Sequence, residues 1–444
     1  MKDDRRNRLG NPSFPDEPDE GFKAYQKILD SAYELKAGGK LDEVYALLLP
    51  RYHGRMAGYQ RARTEFLFGE FWRVVHVRQQ HAAGDPETNE VHPDPLGEAA
   101  ECYRRGAEAA ARIPDGPMFA QLKSLESSVC WSSNPHRKRY RRAFEAARGA
   151  LDAWRMLPPC SEHDLAYIEF EFNLAEDLGV RAQMVAEDTI AVDALNRAAV
   201  LLERLHRHID ANSPKYRKHD LYLEWDWAAL DRSIGDYALA FKRALKARTL
   251  AERFPDLRNF GRINTLIADI AVDCADAGIE PQRYSRSRLL SVAEDAVEKA
   301  MAASDQNNDK AGFALALLAK VRFRRLDEPD ARDERVNMLT EAYKYAASVE
   351  GEDPVLLARV EMAIGDGYAW RYWRRRSNSN LEEARRYYEQ ALTRLKSVEA
   401  FGLARMARHR LFALPPSSRL PPNSGPTSET KRPTSPPDGD ISPN

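Results

Sequence analysis

The chain has 444 residues, of which 43% are hydrophobic and 30% are charged, and its net charge is −1. That composition suffices for a hydrophobic core, while the near-zero net charge excludes a bulk attraction to nucleic acid or to acidic membranes. The four cysteines lie far apart and no apolar run approaches the ~20 residues that span a membrane, so we expect a cytoplasmic protein without disulfides or a transmembrane segment.

The two ends of the chain differ in composition from its middle. Residues 1–21 are rich in Asp, Glu, Pro and Arg and lack the apolar segment of a secretory signal. Residues 415–444 are rich in Pro and Ser and contain few apolar side chains. Neither end can bury enough surface to offset the entropy of ordering, so we expect a disordered lead-in, one helical-repeat domain over residues 22–414, and a disordered tail.

Between these ends the sequence predicts eight helical pairs and almost no strand. Breakers such as Pro50 and the PPCS sequence at 158–161 separate the pairs. A further helix over 399–413 is predicted to cap the open end of the stack. The predicted pairs span residues 22–50, 58–113, 117–158, 161–210, 217–255, 258–303, 309–350 and 354–398.

A helix signature recurs in the second half of these pairs. Leu381, Ala384, Tyr388 and Ala391 follow one another at offsets of 3, 4 and 3 residues. Small side chains at this spacing let one helix lie close against its neighbours, and the recurrence predicts stacked hairpins. Copies of the signature are Leu96–Ala99–Tyr103–Gly106, Tyr140–Ala143–Ala147–Ala150 and Tyr237–Ala240–Ala244–Ala247, with looser ones starting at Ala191 and Leu290.

The first helices carry a second pattern, a Gly followed three residues later by an aromatic side chain. Gly69 precedes Trp72 in this way, and Gly365 precedes Tyr368. Together with the second-helix signature, this resembles the tetratricopeptide family over about residues 22–398. The resemblance implies an all-α fold, a right-handed α–α superhelix of about eight hairpins. The positions equivalent to the first alanine of the second-helix signature in successive repeats lie 42 to 55 residues apart, against ~34 in that family, which predicts a long-helix variant.

In tetratricopeptide repeats the first helices line the concave face, so the resemblance implies a protein or peptide ligand there. Arg63, Arg262 and Arg359 occupy the same predicted inward position, and each is followed seven residues later by an acid. Such arginines bind carboxylates bidentately, and tryptophans supply anchor area; equally, the charges can bridge adjacent first helices. The predicted concave-face residues are Arg63, Glu70, Arg73, Tyr222, Trp225, Arg232, Arg262, Asp269, Arg359, Asp366, Trp370 and Trp373. Because Trp225 and Trp227 are two residues apart on one helix, we expect Trp227 to lie in the core instead.

Two basic segments offer an alternative, an RNA-binding helical repeat. Arginines interleaved with aromatic side chains can hold a single strand by charge and stacking. The second segment runs from Arg371 to Arg376 at a helix end, where cations also complement the helix dipole. The first segment contains Arg137, Lys138, Arg139, Arg141 and Arg142.

The sequence contains no phosphate-binding loop, no nucleophile elbow and no histidine pair at metal-ligand spacing. We therefore expect no enzymatic activity, no metal and no cofactor. A second alternative is an enzyme built on a closed α/α toroid, since about sixteen helices would also suit a ring. The first hypothesis remains a regulatory adaptor that acts by binding.

Overall fold

A computed structural model of the chain describes seventeen α-helices, two short 3-10 helices and, within its described residues, no strand. Those residues are 20–52, 56, 58–82, 92–113, 115–132, 140–158, 164–209, 213–253, 256–327, 332–349 and 353–415. Residues 1–19 and 416–444, which hold most of the two ends predicted to be disordered, lie outside this range. The predicted domain boundaries therefore stay predictions.

The helices form eight antiparallel hairpins and a final single helix, as the sequence predicts. The pairs are α1 (Glu20–Ala37) with α2 (Leu41–Leu48), α3 (Gly58–Ala82) with α4 (Pro95–Ala111), α5 (Gly116–Ser132) with α6 (Tyr140–Arg155), α7 (Leu165–Val185) with α8 (Asp188–His208), α9 (Pro214–Ser233) with α10 (Tyr237–Ala251), α11 (Leu257–Ala277) with α12 (Arg286–Gln306), α13 (Lys310–Asp327) with α14 (Arg332–Ser348) and α15 (Pro354–Arg375) with α16 (Asn378–Ser397). The last helix is α17 (Phe401–Ala413).

Aspartate N-caps fix where many of these helices begin. A side-chain carboxylate at the N-cap accepts a hydrogen bond from a backbone N–H of the first turn, which would otherwise have no partner. The pattern recurs before α4, α7, α10, α11 and α15, at Asp94, Asp164, Asp236, Asp256 and Asp353. Several hairpins are therefore delimited by the same local chemistry.

The second-helix signature forms the core. Leu381, Ala384, Tyr388 and Ala391 of α16 are each at most 3% exposed, and the equivalent side chains of α4, α6 and α10 are buried with few exceptions. Trp227 is buried, which confirms its predicted place in the core.

First helices lie on the inner side of the superhelix. Neighbouring first helices contact each other at α7–α9, α9–α11, α11–α13 and α13–α15, whereas no described second helix contacts the next one to a similar extent. Elements on the inside of a curve are closer together than those on the outside. We call α7, α9, α11, α13 and α15 the inner wall.

The third to eighth hairpins complete a turn that α17 closes. α17 packs on α7, and the backbone N–H of Tyr140 donates to the carbonyl of Val398 at 3.3 Å. Gly402 lies against the end of α7, near Met184 and Ala186. One hydrophobic core joins α6, α7 and α8 to α15, α16 and α17. The last hairpin thus meets the third and fourth hairpins and not the first, so the fold is an α–α superhelix and not the closed toroid considered above.

Candidate functional site

The centre of the inner wall carries four charges from three hairpins. Arg232 on α9 donates from Nε to Asp273 Oδ2 at 2.7 Å and from Nη1 to Asp269 Oδ2 at 3.0 Å. Arg322 on α13 donates to the other oxygen of each of the same two carboxylates. We call these four residues the inner charge cluster. Burial alone would raise the pKa of Asp269, but the guanidinium groups of Arg232 and Arg322 outweigh it and lower that pKa.

Arg359 on α15 lies beside this cluster without joining it. Its side chain is exposed, and it forms no hydrogen bond or ion pair with any described residue. Its charge interacts with those of Arg232, Asp269 and Asp353, and burial together with the nearby Arg232 lowers the pKa of Arg359. Arg359 is therefore accessible to a ligand while charged groups of several hairpins act on it.

Two carboxylates between α7 and α9 are also unpaired. Glu176 and Asp226 are half-buried, and neither forms a hydrogen bond or ion pair with a described residue. Burial and the neighbouring acid Asp177 raise the pKa of Glu176 to about 8. Burial and the carboxylates of Glu176 and Asp177 raise the pKa of Asp226 well above its ordinary value. Asp177 itself is paired with Arg181 at 2.7 Å.

Comparison with known proteins identifies the architecture. No protein-family model matches the chain, and no curated protein sequence matches it. Among solved structures, aspartyl phosphate phosphatase F from Bacillus subtilis is 14% identical, with 86% of each chain covered and a TM-score of 0.50. The Rap conjugation gene regulator of plasmid pLS20, in complex with the Phr* peptide, is 10% identical, covering 86% of this chain and 96% of its own with a TM-score of 0.45. The apo quorum sensor NprR from B. thuringiensis is 14% identical, with 90% and 89% covered and a TM-score of 0.43.

The chain has the tetratricopeptide-like helical-repeat fold. At these identities the likeness shows the fold alone. Among the described residues of this tetratricopeptide-like superhelix, no helix is long and apolar enough to cross a membrane. Nor does the described part of the chain bring together three side chains that could hold a metal ion.

Two of the predicted inward acids hold their own hairpins together. Tyr103 donates its hydroxyl to Glu70 at 2.8 Å, and Tyr388 donates to Asp366 at 2.7 Å. Glu70 also pairs with Lys36 at 3.4 Å and with the predicted site residue Arg73 at 3.1 Å, while Asp366 pairs with Arg410 at 3.1 Å. These contacts satisfy the charges from within the protein.

Two of the predicted inward arginines are engaged as well. Arg262 donates from Nε to Asp309 at 3.2 Å, and Asp309 in turn caps α13. Arg63 lies over the rings of Tyr33 and Tyr59, at 5.4 Å and 4.3 Å from their centroids. Only one arginine of the three that share this predicted position, Arg359, is left without a described partner.

The predicted aromatic residues fall into two groups. Tyr222 accepts a hydrogen bond from Asn259 at 3.1 Å and stacks with Trp225 at 6.4 Å, and both rings are half-buried on α9. Trp370 and Trp373, near the end of α15, are 39% and 50% exposed. Arginines of the same helix end lie over these two rings: Arg374 over Trp370 and Arg376 over Trp373.

The predicted basic segment is only partly described. Arg137, Lys138 and Arg139 lie outside the described residues. Arg141 pairs with Glu145 at 2.8 Å and Glu187 at 3.0 Å. Arg142 pairs with Glu126 at 2.8 Å and also interacts with Glu101 at 3.7 Å. These two arginines are therefore compensated within the protein.

Sequence reasoning missed four residues of the inner wall, namely Asp273, Arg322, Glu176 and Asp226. A usable signal existed for the last two, because they are 226 − 176 = 50 residues apart, within the repeat spacing. Unpaired acids at equivalent points of consecutive first helices could have been sought with that spacing. Asp273 and Arg322 are also separated by a distance within the repeat spacing, but their role becomes visible only through the ion pairs that they form with each other, with Arg232 and with Asp269.

Proposed function

We propose that this protein is a regulatory scaffold that binds a peptide, or an extended segment of a partner protein, along the inner wall. The observation that carries the proposal is the set of ionisable side chains there that have no partner among the described residues. Arg359 lies beside a cluster in which every charge is paired, Glu176 and Asp226 lie on α7 and α9, and none of the three has a described partner. Polar and charged groups that the protein leaves without a partner are available to pair with a ligand.

The shape of the wall supports an extended ligand. Five first helices from consecutive hairpins lie side by side, so a chain crossing them would meet each helix in turn. The unpaired Arg359 and the carboxyl groups of Glu176 and Asp226 along that path favour a ligand that carries an anionic group and hydrogen-bonding groups. Exposed aromatic side chains at Trp370 and Trp373 would add apolar anchor area at the end of α15.

A selection experiment tests this proposal. The full chain is panned against a displayed library of random peptides, and the selected sequences are synthesised and titrated by fluorescence anisotropy. Hydrogen–deuterium exchange with and without a bound peptide then locates the site. We expect added protection in α7, α9, α11, α13 and α15. Protection confined to second helices, or failure to select any peptide, would contradict the proposal.

Single-stranded RNA is a second candidate ligand, and the arginine-covered tryptophans of α15 favour it. Arginine and aromatic groups together bind bases and phosphates without base-specific contacts. Such binding weakens steeply with salt because counterions are released. A labelled single strand whose mobility does not shift at low salt would remove this candidate. Catalysis is not part of either proposal, and its expected absence stays a prediction.

A further inference from the structure

We infer that Arg359 binds an anionic group of the ligand, a carboxylate or a phosphate, at the centre of the inner wall. The inference rests on the proposed function and specifies the chemistry of that same surface. It follows from how the neighbouring charges are distributed and from which hairpins supply them.

The inner charge cluster has no net charge to offer. Two guanidinium groups and two carboxylates bind one another there, so Arg232 and Arg322 are fully engaged. Asp353 also interacts electrostatically with Arg359. Its carboxylate is already engaged, because it caps α15 by accepting a hydrogen bond from the backbone N–H of Leu356 at 3.0 Å. Arg359 therefore contributes one excess positive charge to this part of the wall.

The surroundings of Arg359 disfavour that charge. Although the side chain is accessible, desolvation by the protein around it and the positive charge of Arg232 lower the pKa of Arg359. An anion placed against the guanidinium would offset the repulsion by Arg232, and a planar guanidinium can donate two parallel hydrogen bonds to a carboxylate or a phosphate. Glu176 and Asp226, whose pKa values are raised, carry no compensating positive charge, so the ligand's negative group is directed to Arg359 on α15.

Arg359 stands where four hairpins approach one another. The groups that interact with its charge include Tyr140 of the third hairpin, Arg232 of the fifth and Asp269 of the sixth. Tyr140 is brought to α15 by the closure of the turn, since its backbone N–H binds Val398 at 3.3 Å. A ligand anion at Arg359 would thus be enclosed by distant parts of the chain.

The first test needs no ligand. Arg359→Gln should leave the melting temperature unchanged or raise it, because an uncompensated charge is removed. Arg232→Gln should lower it, because Asp269 and Asp273 then share a single arginine. An equal loss of stability in the two variants would mean that Arg359 has a structural partner, and the inference would be overturned.

The second test uses the peptides selected against the wild-type protein. Each peptide is made in two forms. The acidic form keeps its Asp and Glu residues and a free C-terminus, and the neutralised form has Asn and Gln in their place and an amidated C-terminus. We expect Arg359→Gln to weaken the acidic form by about tenfold to a hundredfold and to leave the neutralised form unchanged. Arg405→Gln, which changes an exposed arginine of α17, is the matched control. Equal affinity of wild type and Arg359→Gln for the acidic form would overturn the inference while leaving the proposed function intact.

The source of the anion is distinguished by small probes. Citrate and inorganic phosphate are each titrated into the wild type, Arg359→Gln and Arg405→Gln while thermal stability is followed. Stabilisation by one probe that disappears only in Arg359→Gln would support the inference and assign a carboxylate or a phosphate. If no peptide is selected and neither probe stabilises the protein through Arg359, the proposed function and the inference both fail.

Discussion

The ring of Tyr103 occupies the space that a side chain at position 69 would need. A Cβ atom built on Gly69 would lie 2.3 Å from Tyr103 Cε1, far inside van der Waals contact. The same tyrosine donates its hydroxyl to Glu70, the next residue, at 2.8 Å. One tyrosine on the second helix therefore makes two contacts with the first helix. Its ring packs against the glycine, and its hydroxyl donates to the acid that follows.

The eighth hairpin repeats this arrangement. A Cβ atom on Gly365 would lie 2.6 Å from Tyr388 Cε1, and the Tyr388 hydroxyl donates to Asp366 at 2.7 Å. The motif explains why the second-helix signature carries a tyrosine in these two hairpins.

The motif predicts that Gly69→Ala and Gly365→Ala each destabilise the protein by about 1–3 kcal/mol, because the methyl group overpacks against the tyrosine ring. Gly367→Ala is the matched control on the same helix. Nothing lies within 4 Å of a Cβ there, so it should be neutral or stabilising by about 0.5–1 kcal/mol. Urea unfolding followed by circular dichroism measures all three, and similar values for Gly365→Ala and Gly367→Ala would refute the motif.

Burial of the signature alanines predicts a second effect. Ala240 and Ala384 are fully buried, so Ala240→Glu or Ala384→Glu would force an unpaired carboxylate between packed helices and cost several kcal/mol. Thermal melting detects this loss. Lys242→Glu, at an exposed position of α10, should leave the melting temperature nearly unchanged. Unaltered melting in both alanine variants would show that the register of these helices is wrong.

Closure of the turn depends on close approach at Gly402. A Cβ there would already lie 3.3 Å from Ala186 Cβ and 3.4 Å from the carbonyl of Met184, so Gly402→Leu should push α17 away from α7. We expect a larger radius of gyration by small-angle X-ray scattering with unchanged helix content. Arg405→Leu, on the exposed face of α17, is the control. A folded Gly402→Leu variant with the wild-type radius would mean that α17 does not hold the turn closed.

The raised pKa of Glu176 predicts a loss of stability with rising pH. In the folded protein this carboxyl keeps its proton up to about pH 8, whereas in the unfolded chain it ionises near its ordinary value of 4.5. The folded state therefore binds more protons between these values, and stability falls across that range as pH rises. Glu176→Gln should flatten the dependence, and Glu298→Gln, at an exposed position, should not. Equal pH profiles for the two variants would contradict the expectation.

The exposure of Trp370 predicts that this side chain contributes to ligand binding more than to stability. Because the side chain is 39% exposed, Trp370→Ala should lower the melting temperature little while weakening the binding of selected peptides. The buried Trp227→Ala should instead cost about 3–5 kcal/mol of stability. A large loss of stability in Trp370→Ala with binding intact would place this tryptophan in the core.

Most of the helical architecture was predictable from local patterns. The 3-4-3 spacing around Ala384 and Tyr388 marks a buried helix face within a dozen residues, and prolines and aspartates mark the helix ends. The predicted spans therefore follow the observed hairpins closely. Long-range closure was not predictable, because the contact between α17 and α7 depends on small rotations summed over five hairpins.

What the sequence determined by itself is thus the repeated hairpin and the face that each helix buries, since 3.6-residue periodicity is local information. The tertiary structure determined which partner, if any, each of the predicted inward charged side chains contacts. Arg63, Arg262 and Arg359 share one predicted position, yet the first stacks on tyrosines, the second pairs with Asp309 and the third has no described partner. The physical reason is that a partner for such a side chain comes from another hairpin, and the register and angle between hairpins, not the local pattern, set which group arrives within hydrogen-bonding distance.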